Sequence, residues 1–509
     1  MAINSIGSST SLLGQSVLNI KNQLNSLQVQ LASGEKSTTY SGMGTGEGFA
    51  IAARAQLANI TGYQNTITNV GTTISAANTA LQSLATSSEN VETAANSGSQ
   101  TLNSTGQTAG QVTATSLLSS MLSVLNTQAG NGYIFSGAAT NTPSVASADA
   151  ILNGSGAQAG LTQVISEREQ ADLGTAPDLG RLTLSSTSTT TPPTTTVSVA
   201  QDSSPFGMKL SAVSSTLTGA TVTGPTGTPP AISISMGTTN PNSGDQLNVT
   251  LSMPDGTTQA IQLTATTTSP PPTGSFLIGA TPATTAANLQ TALQTSINTV
   301  ANTSLVAASA MEASSNFFDQ PPQRVSVTPP GTFATATSLV AGTSANTVSW
   351  YTGGTTTGSA RATQVAQIGP DQTVAYGIQA NEQGIASQLQ AIAAFAAFTV
   401  SPTSTNAAAQ VSAMSASVAQ ALSTQPNQQS IQDIQTDLAN AQTTMSTASS
   451  LQTQTQASLQ NIVSQIETVS PDQVASQILA LQTSLQASYQ TTSMLSQLSL
   501  VKFLPIPSA

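Results

Sequence analysis

The chain has 509 residues, room for more than one domain, yet only 6% of them are Asp, Glu, Lys or Arg, against about 25% in ordinary soluble domains. Nine basic residues against a formal net charge of −11 leave no clustered cationic footprint, so neither nucleic acid nor an anionic membrane surface is an expected partner. Cysteine and histidine are both absent, which excludes thiol nucleophiles, disulfides, imidazole bases and the usual Cys/His zinc sites; no catalytic residue, cofactor or metal is expected.

The first element is a helix. Ile6, Leu13, Val17, Ile20, Leu24, Leu27 and Leu31 alternate steps of three and four, with Thr10 in the one polar slot, which is the a/d seam of a heptad repeat. Such a stripe gains nothing until it is covered, so a partner is expected. Gly34 to Gly48 is too rich in Gly, Ser and Thr to continue the helix and reads as a loop or hinge. A second seam runs through Ile60, Tyr63, Ile67, Val70, Ile74, Ala77, Leu81 and Leu84, passes Ser88, and resumes at Val91 and Ala95. Leu118, Leu122, Leu125 and Ala129 form a third, and Tyr133, Ile134 and Phe135 read as a short strand after it.

From about Pro143 to Gly369 the pattern changes to Pro, Thr-rich tracts and period-two runs. Leu247, Val249, Leu251 and Met253, then Pro-Asp-Gly, then Ile261, Leu263 and Ala265 predict a hairpin. Thr281 as N-cap, Pro282 at the first helical position and a stripe of Leu289, Leu293, Ile297 and Val300 predict a helix. Helical pattern returns near Ala375. From Ile431 a seam continues through Ile434, Leu438, Ala441, Met445 and Ala448, passes Gln452 and Thr455, and goes on through Leu459, Ile462, Ile466 and Val469. After Pro471, a last seam of Val474, Ile478, Leu481, Leu485, Leu495 and Leu498 stops at Phe503 and Leu504.

The expected fold is therefore mainly α, a long antiparallel coiled-coil bundle built from both termini with an inserted α+β middle domain. Its expected boundaries are 1–142, 143–370 and 371–509. The two terminal stripes are expected to cover each other and, in a polymer, neighbouring subunits. That makes Leu13, Val17, Ile20, Leu24, Leu27, Leu31, Ile478, Leu481, Leu485, Leu495 and Leu498 the candidate assembly interface.

Chemical motifs are scarce. Ser499 to Lys502 matches S-x-x-K over four residues without its companion motifs, and reads as the end of an amphipathic helix. Gly42 to Gly48 lacks the Gly-Lys-Ser/Thr ending of a phosphate loop. Asp245 and Asp255 bracket the hairpin and read first as turn residues. The stretch MAINSIGSSTSLLG has neither the basic nor the apolar region of a secretory signal peptide, and no run of about 18 apolar residues is present, so membrane insertion is not expected. Export, if it occurs, is expected to use a route without cleavage or anchoring.

Taken together, these residues resemble the flagellin family, which includes the filament subunit and the hook-filament junction protein. LASGEKS resembles the family's L-x-S-G-x-K/R turn, GFAIAARAQLANITGYQNTITNVGTTISAANTALQSL its long second helix, NGYIFSG its short element after the third helix, and SYQTTSMLSQLSLVKFL its terminal helix. MPDGTTQAIQLTA and ATPATTAANLQTAL resemble a domain inserted in some members, while WYTGG and AYGIQANEQG are similar to the junction type. The family's N-x-A-x-D-D motif is replaced around TTYSGMGTGEG, and the segment corresponding to its Arg-rich receptor epitope, LQSLATSSENVETAA, contains no Arg. The resemblance implies an extracellular, secreted structural subunit of the bacterial flagellum that self-assembles into a filament for motility and is not an enzyme. Its implied partners are copies of itself, the flagellar export apparatus and hook-associated proteins. A junction subunit and a secreted coiled-coil adhesin are the alternatives.

Overall fold

The computed structural model describes residues 3–98, 100–191, 193–355, 358–423 and 426–501, and the side chains of 3–10, 496 and 498–501 lie outside that description. The seam positions Ile6, Leu498, Phe503 and Leu504 and the Ser499/Lys502 motif therefore fall outside the described side chains. The chain divides into two compact units: Met1–Asn69, Gln367–Val374 and Thr443–Ala509 in the first, Val70–Ala366 and Ala375–Gln442 in the second.

The first unit contains α1 (Ile3–Ser33), the start of α2 (Glu47–Asn96), the second half of α10 (Ile431–Glu467) and α11 (Pro471–Val501). α1 ends because Gly34 takes φ +72°, a left-handed geometry that glycine adopts without a Cβ clash, while its N–H closes on Gln30 O at 2.8 Å. α11 begins with Pro471, whose missing N–H costs nothing at a first helical position. The end of α1 meets the start of α11: Lys36 N–H donates to Glu467 O at 2.6 Å and Val469 N–H to Gly34 O at 3.1 Å, an antiparallel bridge at Glu35 and Thr468. The two helices therefore run back along each other in opposite directions.

The second unit mixes helices and sheets. The remainder of α2 buries its seam as the spacing predicts, with Val70, Ile74, Ala77, Leu81, Leu84, Ser88, Val91 and Ala95 all buried. α3 (Ala109–Leu125) starts at a capping box in which Thr108 and Gln111 satisfy each other's backbone N–H. Beyond it, β1 (Gln128–Ala129) pairs with β2 (Gly132–Tyr133). The expected strand stops there. Ile134 and Phe135 are buried in a turn instead, and Phe135 O accepts the N–H of Ala380 at 2.9 Å. α4 (Ala148–Asn153) and α5 (Leu161–Leu173) follow.

Two four-stranded sheets come next. β3 (Leu182–Thr190), β4 (Pro193–Gln201), β7 (Ala231–Met236) and β6 (Ala220–Thr226) form one in that order. β10 (Ser275–Leu277), β9 (Thr258–Thr266), β8 (Gln246–Ser252) and β5 (Lys209–Ser215) form the other. β8 and β9 are the expected hairpin, with Leu247 opposite Leu263 and Val249 opposite Ile261. α6 (Pro282–Ala301) is capped by Thr281 with Pro282 at its start, and presses Leu289, Leu293 and Ile297 into a core shared with both sheets. α7 (Ser304–Phe318), a short pair β11 (Gln323–Ser326) and β12 (Ser338–Ala341), α8 (Gln383–Ala397) and α9 (Ala407–Leu422) complete the unit. The fold is mixed α+β, with helix its larger part, and the Pro- and Thr-rich middle carries more strand than its one clear hairpin signals. Among the described residues no helix is long and apolar enough to cross a membrane.

Leu293→Ala, in a fully buried position, is expected to lower the stability of the second unit by about 2–5 kcal/mol. Leu479→Ala, on an exposed face of α11, is expected to change stability by less than about 0.5 kcal/mol. Chemical denaturation followed by circular dichroism checks both.

Candidate assembly surface

The heptad spacing in α1 makes five of its candidate residues share one side, and the structure turns that side toward α11. Leu13, Val17, Ile20, Leu24 and Leu27 are each partly buried, as are Leu481, Leu485 and Leu495, while Ile478 is buried. In the antiparallel pair Leu27 and Leu481 line one groove of about 450 Å³ with Gln23, Ser26, Gln477 and Ala480. The groove exists because Ser26 and Ala480 are too small to fill the space between the helix backbones.

Partial burial has a geometric cause. One helix can cover only one flank of another's stripe, so a seam within a two-helix pair keeps solvent on its outer sides. In the second unit, where more elements pack around α2, the same kind of stripe is closed: Ile74 and Leu81 are 0% exposed. Large apolar side chains also stand on faces that the pair does not use. Leu12 and Leu18 on α1 are 67% and 60% exposed, Leu479 and Met494 on α11 are both 64% exposed, and Val29 and Tyr489 are exposed with them. Leu18 and Val29 lie three helical turns apart and so share a face. The sequence reading missed these residues because they fall off the seam, although each is visible as a large apolar residue at a position the pattern makes solvent-facing.

Leu31 stands apart from the other candidates. It is 43% exposed, and Gln30 takes the inward position, donating its side-chain N–H to Lys36 O at 2.9 Å. Leu31 lies in the last turn of α1, two residues before its end at Ser33. Ile462 near the end of α10 is 41% exposed with Val463 turned inward in its place, because a straight α-helix drifts by about 20° per heptad against a 3.5-residue repeat and moves the inward position to a later residue.

The turn between α1 and α11 is fastened by an ion pair that no local pattern announces. Glu467, the last residue of α10, has a side chain only 9% exposed and accepts Arg54 Nε at 2.8 Å, with a second, bidentate contact from the same guanidinium. The hydrogen bond from Arg54 and its positive charge hold the Glu467 carboxyl below the usual carboxylate range. The glycine-rich stretch forms short 3-10 turns over Tyr40–Gly46, broken at Gly44 where φ is +64°, rather than an anion cradle, and a Cβ at Gly46 would come within 2.8 Å of Ile466 Cγ2.

The second unit shows where the remaining cations go. Arg168 donates to Asp172 Oδ2 at 2.8 Å and to Asn316 Oδ1 at 3.0 Å, with Glu312 at 3.5 Å. Arg324 pairs with Glu167, Arg361 with Glu382, and Arg181 with Asp202 at 2.9 Å. Phe206 lies between Arg168 and Arg181, its ring centre 5.2 and 5.4 Å from the two guanidinium carbons. Burial opposes charge on Asp202, but hydrogen bonds from Ser204 and Arg181 outweigh it and hold the carboxyl at about 2. Lys209 Nζ donates to the carbonyls of Asp202, Ser204 and Phe206. All five arginines are thus engaged with carboxylates of the same chain.

Asp245 and Asp255 do turn work. Asp245 accepts the N–H groups of Thr218 and Asn242 at 2.8 and 2.9 Å, and Asp255 those of Thr257 N–H and hydroxyl at 3.0 and 2.6 Å. Among the described residues no group of three or more acidic side chains converges as a metal site. No family model, no curated protein and no solved structure matches the chain.

The Arg54–Glu467 pair carries a pH dependence of known sign. Because the Glu467 pKa is depressed in the folded state, its contribution is present above the ordinary value of 4.5 and is lost as pH falls below that through the lower folded value. Hydrogen exchange at the N–H groups of Lys36 and Val469 is therefore expected to be slow from neutral pH down to about pH 4.5 and to accelerate, beyond the intrinsic trend, below it. Glu467→Gln is expected to show faster exchange than wild type above about pH 4.5, with the difference closing as pH falls below it.

Proposed function

We propose that the chain is a structural subunit of the flagellin family that polymerises outside the cell into the bacterial flagellar filament and serves motility. The observation that carries this reading is the state of α1 and α11. Each is a helix of 31 residues, the two close a seam only on one flank, and Leu12, Leu18, Leu479 and Met494 stand in water on other faces. Exposed apolar side chains spread along a long helix pair need covering, and copies of the same pair supply the covering surface. In this reading the terminal helices of many copies form an antiparallel coiled-coil bundle, in which Leu13, Val17, Ile20, Leu24, Leu27 and Leu31 meet Ile478, Leu481, Leu485, Leu495 and Leu498 and the stripes of neighbours.

The resemblance of LASGEKS, NGYIFSG and the terminal helix to flagellins supports the same reading. So does the neutral surface, because like surfaces stacked repeatedly would repel if they were charged. Heterologous contacts of this kind propagate as an open helix. The export apparatus and hook-associated proteins are the further partners, and no cofactor is involved.

Replacing Leu481 and Leu485 with Asp puts two carboxylates without partners into the seam. Secretion is expected to continue while filaments disappear, leaving soluble extracellular monomer with protease-sensitive ends. Normal filaments from that variant would refute the role of the α11 stripe. Immunogold labelling of intact cells is expected to decorate the filament along its length, whereas a single short ring would mark a junction subunit. Wild-type polymer is expected to persist from low to near-molar salt, since the seam holds almost no ion pairs to screen; turbidity or sedimentation measures this.

A further inference from the structure

A strand at the edge of a sheet offers unpaired N–H and C=O groups to any other strand, and proteins blunt such edges with short strands, bulges, proline or charge. In the β10–β9–β8–β5 sheet, β10 has three residues and β5 shifts register between Leu210 and Ala212. In the other sheet β6 shifts register between Thr223 and Thr226 and contains Pro225. β3 has none of these devices. It is an end strand, pairs with β4 in unbroken register from Leu182 to Thr190, and holds neither proline nor a charged residue. Every residue from Ser185 to Thr190 is exposed, whereas β4 beside it alternates between buried and part-buried positions over Thr195–Val199.

The outward backbone groups of β3 follow from its neighbours. Gln201 N–H donates to Pro230 O at 3.1 Å, away from β3, and Asp202 N–H donates to Arg181 O at 3.0 Å, toward it. Alternation along the strands then engages Thr183, Ser185, Thr187 and Thr189 with β4, and turns the N–H and C=O groups of Leu184, Ser186, Ser188 and Thr190 out of the sheet.

We propose that this edge is an interface between copies of the chain, in which β3 of one copy pairs antiparallel with β3 of a second about a two-fold axis at Thr187. Two features select a second copy as the occupant. The stretch from 182 to 201 contains no charged residue in a chain of net charge −11, so it is a place where two like-charged molecules can approach closely. Its register is also self-complementary. With Thr187 opposite itself, Ser186 faces Ser188 and Leu184 faces Thr190, so each outward-pointing residue meets another outward-pointing residue. The hydroxyl pairs Thr189–Thr194 at 2.7 Å and Ser188–Thr195 at 3.2 Å already join β3 to β4, and the new pair would repeat that chemistry. The contact is small, so the pair it forms is weak and short-lived in solution, and a disulfide can trap it. It goes beyond assembly through the terminal helices and does not depend on it.

Because the chain has no cysteine, Thr187→Cys supplies one thiol, placed in a non-hydrogen-bonded pair whose Cα atoms would lie about 4.5 Å apart. Under mild oxidation the full-length T187C chain is expected to form disulfide-linked dimers about tenfold faster than T403C, whose exposed turn position reports random collision. Adding Ser186→Lys with Ser188→Lys sets like charges across the axis and should remove the difference. Ser186→Lys with Ser188→Glu sets unlike charges across it and should restore the difference, which also shows that the strand still folds. The same pattern is expected in the Leu481→Asp/Leu485→Asp background, separating this contact from the helical one. Equal rates for T187C and T403C, insensitivity to the lysine pair, or capture of T187C only by a different protein would each overturn the proposal.

Discussion

An apolar stripe on a long helix has to be covered, and the coverage available differs along this chain. In α2, neighbours close over Val70 to Ala95 and the stripe becomes core. In α1 and α11 only one helix faces the other, and residues such as Val17 and Leu485 stay half in water. At about 25 cal/mol per Å² of buried apolar surface, such a pair gains little over the entropy of ordering two helices. The same physics that makes the second unit a self-sufficient core leaves the first with surface still to bury.

The placement of charge complements this. Arginine could have been spread over the surface, where each pair contributes at most about 1 kcal/mol. Instead Arg168, Arg181, Arg324 and Arg361 are paired with carboxylates at largely buried positions, Arg168 both within α5 and across to Glu312 of α7, and Arg54 fastens the reversal between α10 and α11. Buried pairs of this kind fix geometry, because removing one partner leaves the other charge uncompensated. What remains outside is mostly Ser, Thr, Gln and Asn, with scattered carboxylates and few cations.

How much of this can be read from the amino acids depends on the range of the interaction. The stripe of α2, the hairpin of Val249 and Ile261 and the capped start of α6 at Thr281 are legible because their determinants lie within a few residues of one another. Ile462 departs from expectation because a 3.5-residue repeat is imposed on a helix closer to 3.6. The Arg54–Glu467 contact spans 413 positions and leaves no periodic trace. The six strands besides β8 and β9 in the two four-stranded sheets include tracts such as STSTT, whose composition reads equally as linker. At the candidate surface, the seam positions of α1 and α11 are visible in the spacing, while the outer Leu12, Leu18 and Met494 become meaningful only once the partner helix shows which faces are left open.

The antiparallel pairing of α1 with α11 also sets an order in time. Residues up to Ser33 leave the ribosome well before Pro471 to Val501 do. At about 5–20 residues per second, more than four hundred residues are added in between, so α1 waits on the order of 20–90 s for its partner to exist. Throughout that interval Leu13, Ile20 and Leu27 have nothing of their own chain's α11 to rest on. A cell that makes this protein must keep its first thirty residues from finding other apolar surfaces before synthesis ends.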